Sequence, residues 1–214
     1  IATTVEPLLK ILYINGPTLD MSGVKALLVT SANGLRAFVN RSDERSVPIY
    51  AVGDATAHEA AIAGFKLVSS AAGTVSDLAN LVIESVKPGE GSLLHPAGTI
   101  VAGDLAGRLT RHGHVYRREV LYSAEATSVL SVELRNDMAS GAIDGVLLYS
   151  PRTAGIFVQL VEEAGLHASL RQMTAFCLSP AVAEVIAAIT WGRIIIAAQP
   201  EESKLLEMLI NPPI

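Results

Sequence analysis

The chain is poor in cysteine, in charge and in long apolar runs. One cysteine, Cys177, stands among 214 residues, so no intrachain disulfide is available, and such usage fits a reducing compartment. It lies in the apolar run Thr174 to Leu178, which predicts a buried, inert thiol. No apolar run reaches the ~18 residues that a membrane helix needs, so no membrane span is expected, and no signal-peptide pattern opens the chain. Lys and Arg number 16 against 21 Asp and Glu, a net charge of −5. Nucleic acid, which needs a basic face, is therefore not an expected partner. No His/Cys cluster has zinc spacing. His58 and Glu59 lack the second histidine of a zinc-protease helix, and neither Gly-x-Gly-x-x-Gly nor a P-loop occurs, so no metal is expected. His112 and His114 flank Gly113 at a predicted helix end and read as solvated or dipole-paired. His95, at a strand end, fits a proton carrier or, as is usual for a lone histidine there, polar lining. The chain opens on Ile1 in place of methionine, and a piece preceding it is expected.

Half the residues are hydrophobic and 17% are charged, enough for a sizeable core in one large or two smaller domains. The organising stretch is Val24–Val39. Its apolar run Ala26 to Val29 reads as a strand buried on both faces. Thr30, Ser31 and Asn33 then offer helix caps, and Leu35, Phe38 and Val39 fit an apolar helical face. A strand turning straight into a helix through small polar residues points free backbone N–H groups outward, a ready anion site. The stretch occurs twice: Val24–Val39 lies on Ile143–Val158, with Ser31 on Ser150 and Phe38 on Phe157. Downstream, Tyr50–Ala57 lies on Phe176–Ala183.

Strand and helix alternate in both copies, which predicts an α/β protein of two doubly wound, flavodoxin-like parallel-sheet domains. In the first copy, strands are expected at Ala26–Val29, Ile49–Val52, Lys66–Ser69, Ser92–His95 and Val115–Tyr122. The segment Pro96-Ala-Gly98 is expected to turn, and Val101–His112 to be helical. The second copy shows three strands, at Gly145–Tyr149, Thr174–Leu178 and Arg193–Ala197. A missing N-terminal strand and helix would repair that deficit. One domain is therefore expected to comprise 1–12 and 123–214, with the other, 13–122, inserted into it. The connectors Glu6–Leu12 and Arg118–Ala124 are expected to lie side by side as a two-stranded hinge, with the strand-to-helix turns of the two units on opposite walls of one cleft.

Ligands of open α/β sheets bind beyond the carboxyl ends of the strands. Thr30, Ser31, Gly53, Asp54, Thr56, His95 and Gly98 fall there in one copy, and Ser150, Arg152 and Ser179 in the other. These are mostly hydroxyls, glycines and helix starts, good hydrogen-bond donors but weak acid–base catalysts. Ser31 and Ser150 fit plain helix capping; a retained hydroxyl at both turns favours a ligand contact as well. Thr56 fits buried capping or a ligand contact. Tyr122, ending the strand that leaves the inserted unit, fits either a packed aromatic or a phenol donor overhanging the site.

Glu6-Pro-Leu-Leu-Lys-Ile, Val29-Thr-Ser-Ala-Asn-Gly-Leu-Arg-Ala-Phe, Ala51-Val-Gly-Asp-Ala-Thr-Ala, Val120-Leu-Tyr, Tyr149-Ser-Pro-Arg-Thr-Ala and Cys177-Leu-Ser form an ordered set spanning nearly the whole chain. In these segments the chain resembles the uroporphyrinogen-III synthases. The resemblance implies a cytoplasmic, cofactor-free, monomeric enzyme. It would close hydroxymethylbilane into uroporphyrinogen III with loss of water and inversion of the last ring, through a spiro intermediate. By motif, it implies substrate contacts at Thr30, Ser31, Gly53, Thr56, Ser150 and Ser179. It makes Tyr122 the tyrosine that assists departure of the hydroxyl. Two departures stand out: the strand, arginine-containing turn and helix that usually open the family are absent, and Tyr122-Ser-Ala is not the commonest continuation. The rival expectation is a non-catalytic two-lobed binding protein or sensor on the same fold.

Overall fold

The computed structural model describes residues 1–89 and 91–210. The chain divides into two compact units, one of Ile11–Glu125 and one of Ile1–Lys10 with Ala126–Ile214.

The inserted unit opens with β1 (Leu9–Tyr13), which begins just before the boundary. There follow β2 (Val24–Val29), α1 (Ala32–Val39), β3 (Ile49–Ala51), α2 (Asp54–Ile62), β4 (Val68–Ser70), α3 (Val75–Ser85), β5 (Ser92–Gly98), α4 (Leu105–Arg111) and β6 (Val115–Ala126). The sheet runs β1-β6-β5-β2-β3-β4, and β6, β5, β2, β3 and β4 are parallel. β1 joins its edge antiparallel: Ile14 N–H donates to Leu121 O at 2.8 Å and Thr127 N–H to Leu8 O at 3.0 Å. Counted from β2, the parallel strands stand in the order 3-2-1-4-5. This is the dinucleotide-fold order, where a flavodoxin-like sheet would read 2-1-3-4-5; both wind outward in two directions from a switch point beside the first strand.

The unbroken apolar run of β2 follows from helices on both faces. Leu27 and Val29 pack with Leu35, Phe38 and Ala60 of α1 and α2. Ala26 and Leu28 pack on the opposite face with Leu78, Val82 and Leu109 of α3 and α4. Each fully buried large side chain contributes about 1.5–3 kcal/mol, which ties β2 to both layers. Gly64, at φ +97°, stops α2 in the left-handed region that glycine adopts without strain. Thr74 and Asp77 close a reciprocal capping box at the start of α3.

Pro96-Ala-Gly98, expected to turn, is strand. β5 runs through it because the long β6 pairs with it as far as Tyr122. β2 leaves β5 after Leu94, so Pro96 sits where one side of β5 is an edge and a missing N–H costs no ladder bond. His95 is therefore inside a strand and buried. α4 starts at Leu105, later than expected, because Asp104 caps it by accepting from Gly107 N–H at 2.8 Å. His112 binds its own helix end, donating from Nδ1 to Arg108 O at 2.9 Å. His114 is buried, not solvated.

The second unit contains α5 (Val132–Ser140), β7 (Gly145–Leu148), α6 (Pro151–Glu163), β8 (Thr174–Cys177), α7 (Pro180–Ile186), β9 (Arg193–Ile196) and α8 (Glu202–Ile210). Its three strands are parallel in the order β7-β8-β9. One face carries Ala154, Phe157 and Val161 of α6 with Val182 and Ile186 of α7, plus Leu134 and Met138 of α5. The other face is covered by Leu205 and Met208 of α8 against Phe176 and Ile195. Residues 1–6 and 8, β7 and α8 also line a cavity of about 1030 Å³ within this unit. Cys177 is fully buried, and burial pushes its thiol up to about 11. No described helix is long and apolar enough to cross a membrane.

Candidate active site

The end of β2 carries two hydroxyls, and each has a partner from another strand. Alternation along the strand sends successive residues to opposite faces. Ser31 is the N-cap of α1: its backbone is extended and its Oγ accepts from Gly34 N–H at 3.1 Å. The same Oγ lies 2.9 Å from the Tyr122 hydroxyl, with either oxygen free to donate. Two glycines make this contact possible. Gly98 stands in register with Tyr122, and a Cβ there would lie 2.8 Å from the ring carbon Cζ. A Cβ on Gly34 would collide with the Pro96 carbonyl oxygen, so only glycine lets the first turn of α1 close on β5.

Thr30, one residue earlier, joins a different chain of groups. Its Oγ1 shares a hydrogen bond with His95 Nε2 at 2.9 Å, and His95 Nδ1 shares one with the Tyr116 hydroxyl at 2.6 Å. His95 is 2% exposed. Burial, reinforced by the Arg118 guanidinium, pushes its pKa down to about 4, so the ring is neutral at pH 7. Arg118 is opposite His95 in the ladder and donates to Gly98 O at 2.6 Å and Thr99 O at 2.9 Å. Burial raises the Tyr116 phenol above its ordinary range and keeps it protonated.

Gly53 is the extended N-cap of α2 and offers no side chain, so backbone N–H groups line the start of that helix. It follows β3, which pairs directly with β2, placing it beside the Thr30–Ser31 turn. Thr56, in the first turn of α2, is 8% exposed. Four of the expected residues in this unit, Thr30, Ser31, Gly53 and Tyr122, thus come to one end of the sheet.

In the second unit, Ser150 caps α6 with Oγ accepting from Thr153 N–H at 3.2 Å and lies 2.8 Å from Thr153 Oγ1. Ser179 is the N-cap residue of α7 but makes no side-chain capping bond. Leu148 and Cys177 are paired in register, so these two serines follow adjacent strands.

Residues 2–207 match the family model described as uroporphyrinogen-III synthase HemD. The chain belongs to that family. Its structure is similar to the uroporphyrinogen-III synthetase of Helicobacter pylori 26695, with a TM-score of 0.71 and 18% identity over 96% of this chain and 91% of that one. It is also similar to a mutant uroporphyrinogen III synthase of Thermus thermophilus, with a TM-score of 0.52 and 14% identity over 95% and 85%. At such identities these likenesses speak for the fold alone. No curated protein matches the chain. Uroporphyrinogen-III synthases are cyclising lyases of tetrapyrrole and heme biosynthesis that act on hydroxymethylbilane.

For a synthase of this family, the β2–α1 turn presents one phenol tied to a capping serine and one threonine tied to a neutral histidine. Sequence reasoning missed the His95–Tyr116 pair and the service of Gly34 and Gly98. Gly34 left a signal, a glycine inside a helical pattern, which can mark a packing reason; Gly98 left none, because its local sequence reads as a turn. The His95–Tyr116 contact left none, since it depends on which strands are neighbours.

Proposed function

We propose that this chain converts hydroxymethylbilane to uroporphyrinogen III as a cytoplasmic monomer, with Tyr122 as the general acid. The observation that carries the reading is the 2.9 Å contact between Ser31 Oγ and the Tyr122 hydroxyl beside the α1 N-terminus. With Ser31 donating to the phenol oxygen, the phenol proton is left for the substrate and the nascent phenolate is stabilised. The terminal C–O bond breaks with its electron pair going to oxygen. That oxygen takes the Tyr122 proton and leaves as water, while the pyrrole nitrogen lone pair relieves the carbon. The substituted carbon of the last ring then attacks, giving the spiro intermediate. The bond from that carbon to its original bridge breaks, the bridge carbon joins the free α-carbon of the same ring, and the hydrogen lost from that carbon returns to the Tyr122 phenolate.

A positioned acid contributes about 10²–10⁴-fold. Much of the remainder is orientation of a flexible chain of rings. Substrate carboxylates are met in the inserted unit by backbone N–H groups at the starts of α1 and α2 and by the hydroxyls of Thr30 and Thr56; in the other unit the start of α6, Ser150 and Ser179 offer donors of the same kind. Each helix N-terminus supplies about 0.3–1 kcal/mol when exposed and more when sheltered. This suits a chain of net charge −5, which has no basic field to offer.

Feeding hydroxymethylbilane and separating the product isomers tests the reading. Type III in excess is expected from the unaltered chain. Type I alone, the product of unassisted closure, would identify a binding protein instead.

A further inference from the structure

The buried His95 is not used by the chemistry above, yet both of its nitrogens are engaged. A neutral imidazole carries one donor and one acceptor, so its two hydrogen bonds must run in one direction. Either Tyr116 donates to Nδ1 and Nε2–H donates to Thr30, or Thr30 donates to Nε2 and Nδ1–H donates to Tyr116. In the first case the Thr30 hydroxyl proton is free to point away from the protein. In the second it is turned inward and Thr30 can only accept.

The distances choose between them. The Tyr116 contact, 2.6 Å, is short and fits a hydroxyl donor. The Thr30 contact, 2.9 Å, is the usual length for a nitrogen donor. A phenol is also a stronger hydrogen-bond acid than a threonine alcohol. Arg118, the charged group facing His95 across the ladder, is held by the Gly98 and Thr99 carbonyls and favours the uncharged ring. All three groups lie on the α3/α4 side of the sheet, away from the Ser31–Tyr122 pair: Thr30 and His95 keep the parity of Leu28 and Leu93, and Tyr116 packs in the same cluster.

From this geometry we infer that His95 and Tyr116 are positioning residues that turn the Thr30 hydroxyl into an outward donor for an anionic oxygen of the ligand. The inference rests on reading the β2–α1 turn as the substrate site. It gives that turn two outward protons of different kinds: the phenol proton of Tyr122, which is spent in the reaction, and the alcohol proton of Thr30, which only binds.

The test has two arms. Imidazole nitrogen spectra of the 15N-labelled full chain at neutral pH, with His95 assigned by its loss in His95→Gln, report the tautomer. The Nε2–H form is expected in the unaltered chain, with a shift toward Nδ1–H in Tyr116→Phe. An Nδ1–H ring in the unaltered chain would overturn the inference.

In kinetics, Thr30→Val and His95→Leu each raise KM about tenfold with little change in kcat, as loss of a hydrogen bond to a charged group does. The double variant is no worse than either single one, since both remove the same donor. His95→Gln, which keeps an N–H at the Nε2 position, stays within about threefold of the unaltered KM. Additive effects in the double variant would overturn the inference. If His95→Leu does not fold, the tautomer decides. An Nε2–H ring in a chain that makes no type III product leaves the hydrogen-bond relay standing and removes the function; the reverse pair of results does the opposite.

Discussion

The β2–α1 turn and the β7–α6 turn come from duplicated stretches and begin alike. In each, a serine in extended backbone caps the helix that follows, Ser31 through Gly34 N–H and Ser150 through Thr153 N–H. They differ in what else the hydroxyl meets. Ser31 reaches Tyr122, 91 residues away, whereas Ser150 meets Thr153 three residues on. One turn is wired into the sheet and the other into its own helix. A cap is therefore a local property that both copies keep, and a hydroxyl pair joining two strands is a tertiary one, formed here at the β2–α1 turn.

The two turns differ most in their helix glycines, Gly34 and Gly155. Gly34→Ala places a methyl against the Pro96 carbonyl and is expected to cost about 3 kcal/mol, at the upper end of overpacking, measured by urea unfolding. Gly155 lies inside α6 of the other copy, where an added Cβ meets only Val185 Cγ1 at 3.5 Å. An unchanged urea midpoint in Gly34→Ala would mean that α1 is not pinned to β5.

Acid sharpens the contrast between the units. His95 is neutral in the folded chain down to about pH 4, while in the unfolded chain it takes up a proton near its ordinary 6.5. Below that value the unfolded state binds more protons, so stability falls as pH drops from about 6.5 to 4, by about 3 kcal/mol. Above about 6.5 the contribution is complete. His95→Gln flattens this part of the pH profile, read as the urea midpoint against pH. Cys177, buried in the other unit and pushed up to about 11, adds no slope there.

Tyr122→Phe is expected to lower kcat about 100-fold with the thermal midpoint nearly unchanged. Full turnover would remove the phenol from the reaction. Ser31→Ala and Ser150→Ala each lose about 1 kcal/mol of capping, but Ser31→Ala also lowers kcat, and equal kcat losses in both would erase the distinction between the turns. Gly155→Ala should raise stability by about 0.5–1 kcal/mol, the ordinary helix gain over glycine.

Strand and helix order was legible because burial on both faces leaves unbroken apolar runs, as in β2, and because caps such as Ser31 and Thr74 act within one turn. The misread segment, Pro96-Ala-Gly98, carries strong local turn chemistry, which the pairing of β5 with the long β6 overrides. Likewise, Thr30, Ser31 and Gly53 could be located as the residues after their strands, since that depends on connectivity alone.

By itself, the sequence determined two related α/β units, the boundaries of most elements, the serine-capped turns that follow β2 and β7 and the family to which the chain is similar. Tertiary structure alone decided that Ser31 meets Tyr122 and that His95 stands between Thr30 and Tyr116. It also decided that Gly34 and Gly98 leave the necessary room. The physical reason is distance along the chain. Caps and periodicity are written within about four residues, whereas these contacts join strands whose adjacency is settled only when the sheet forms around the switch point between β2 and β5.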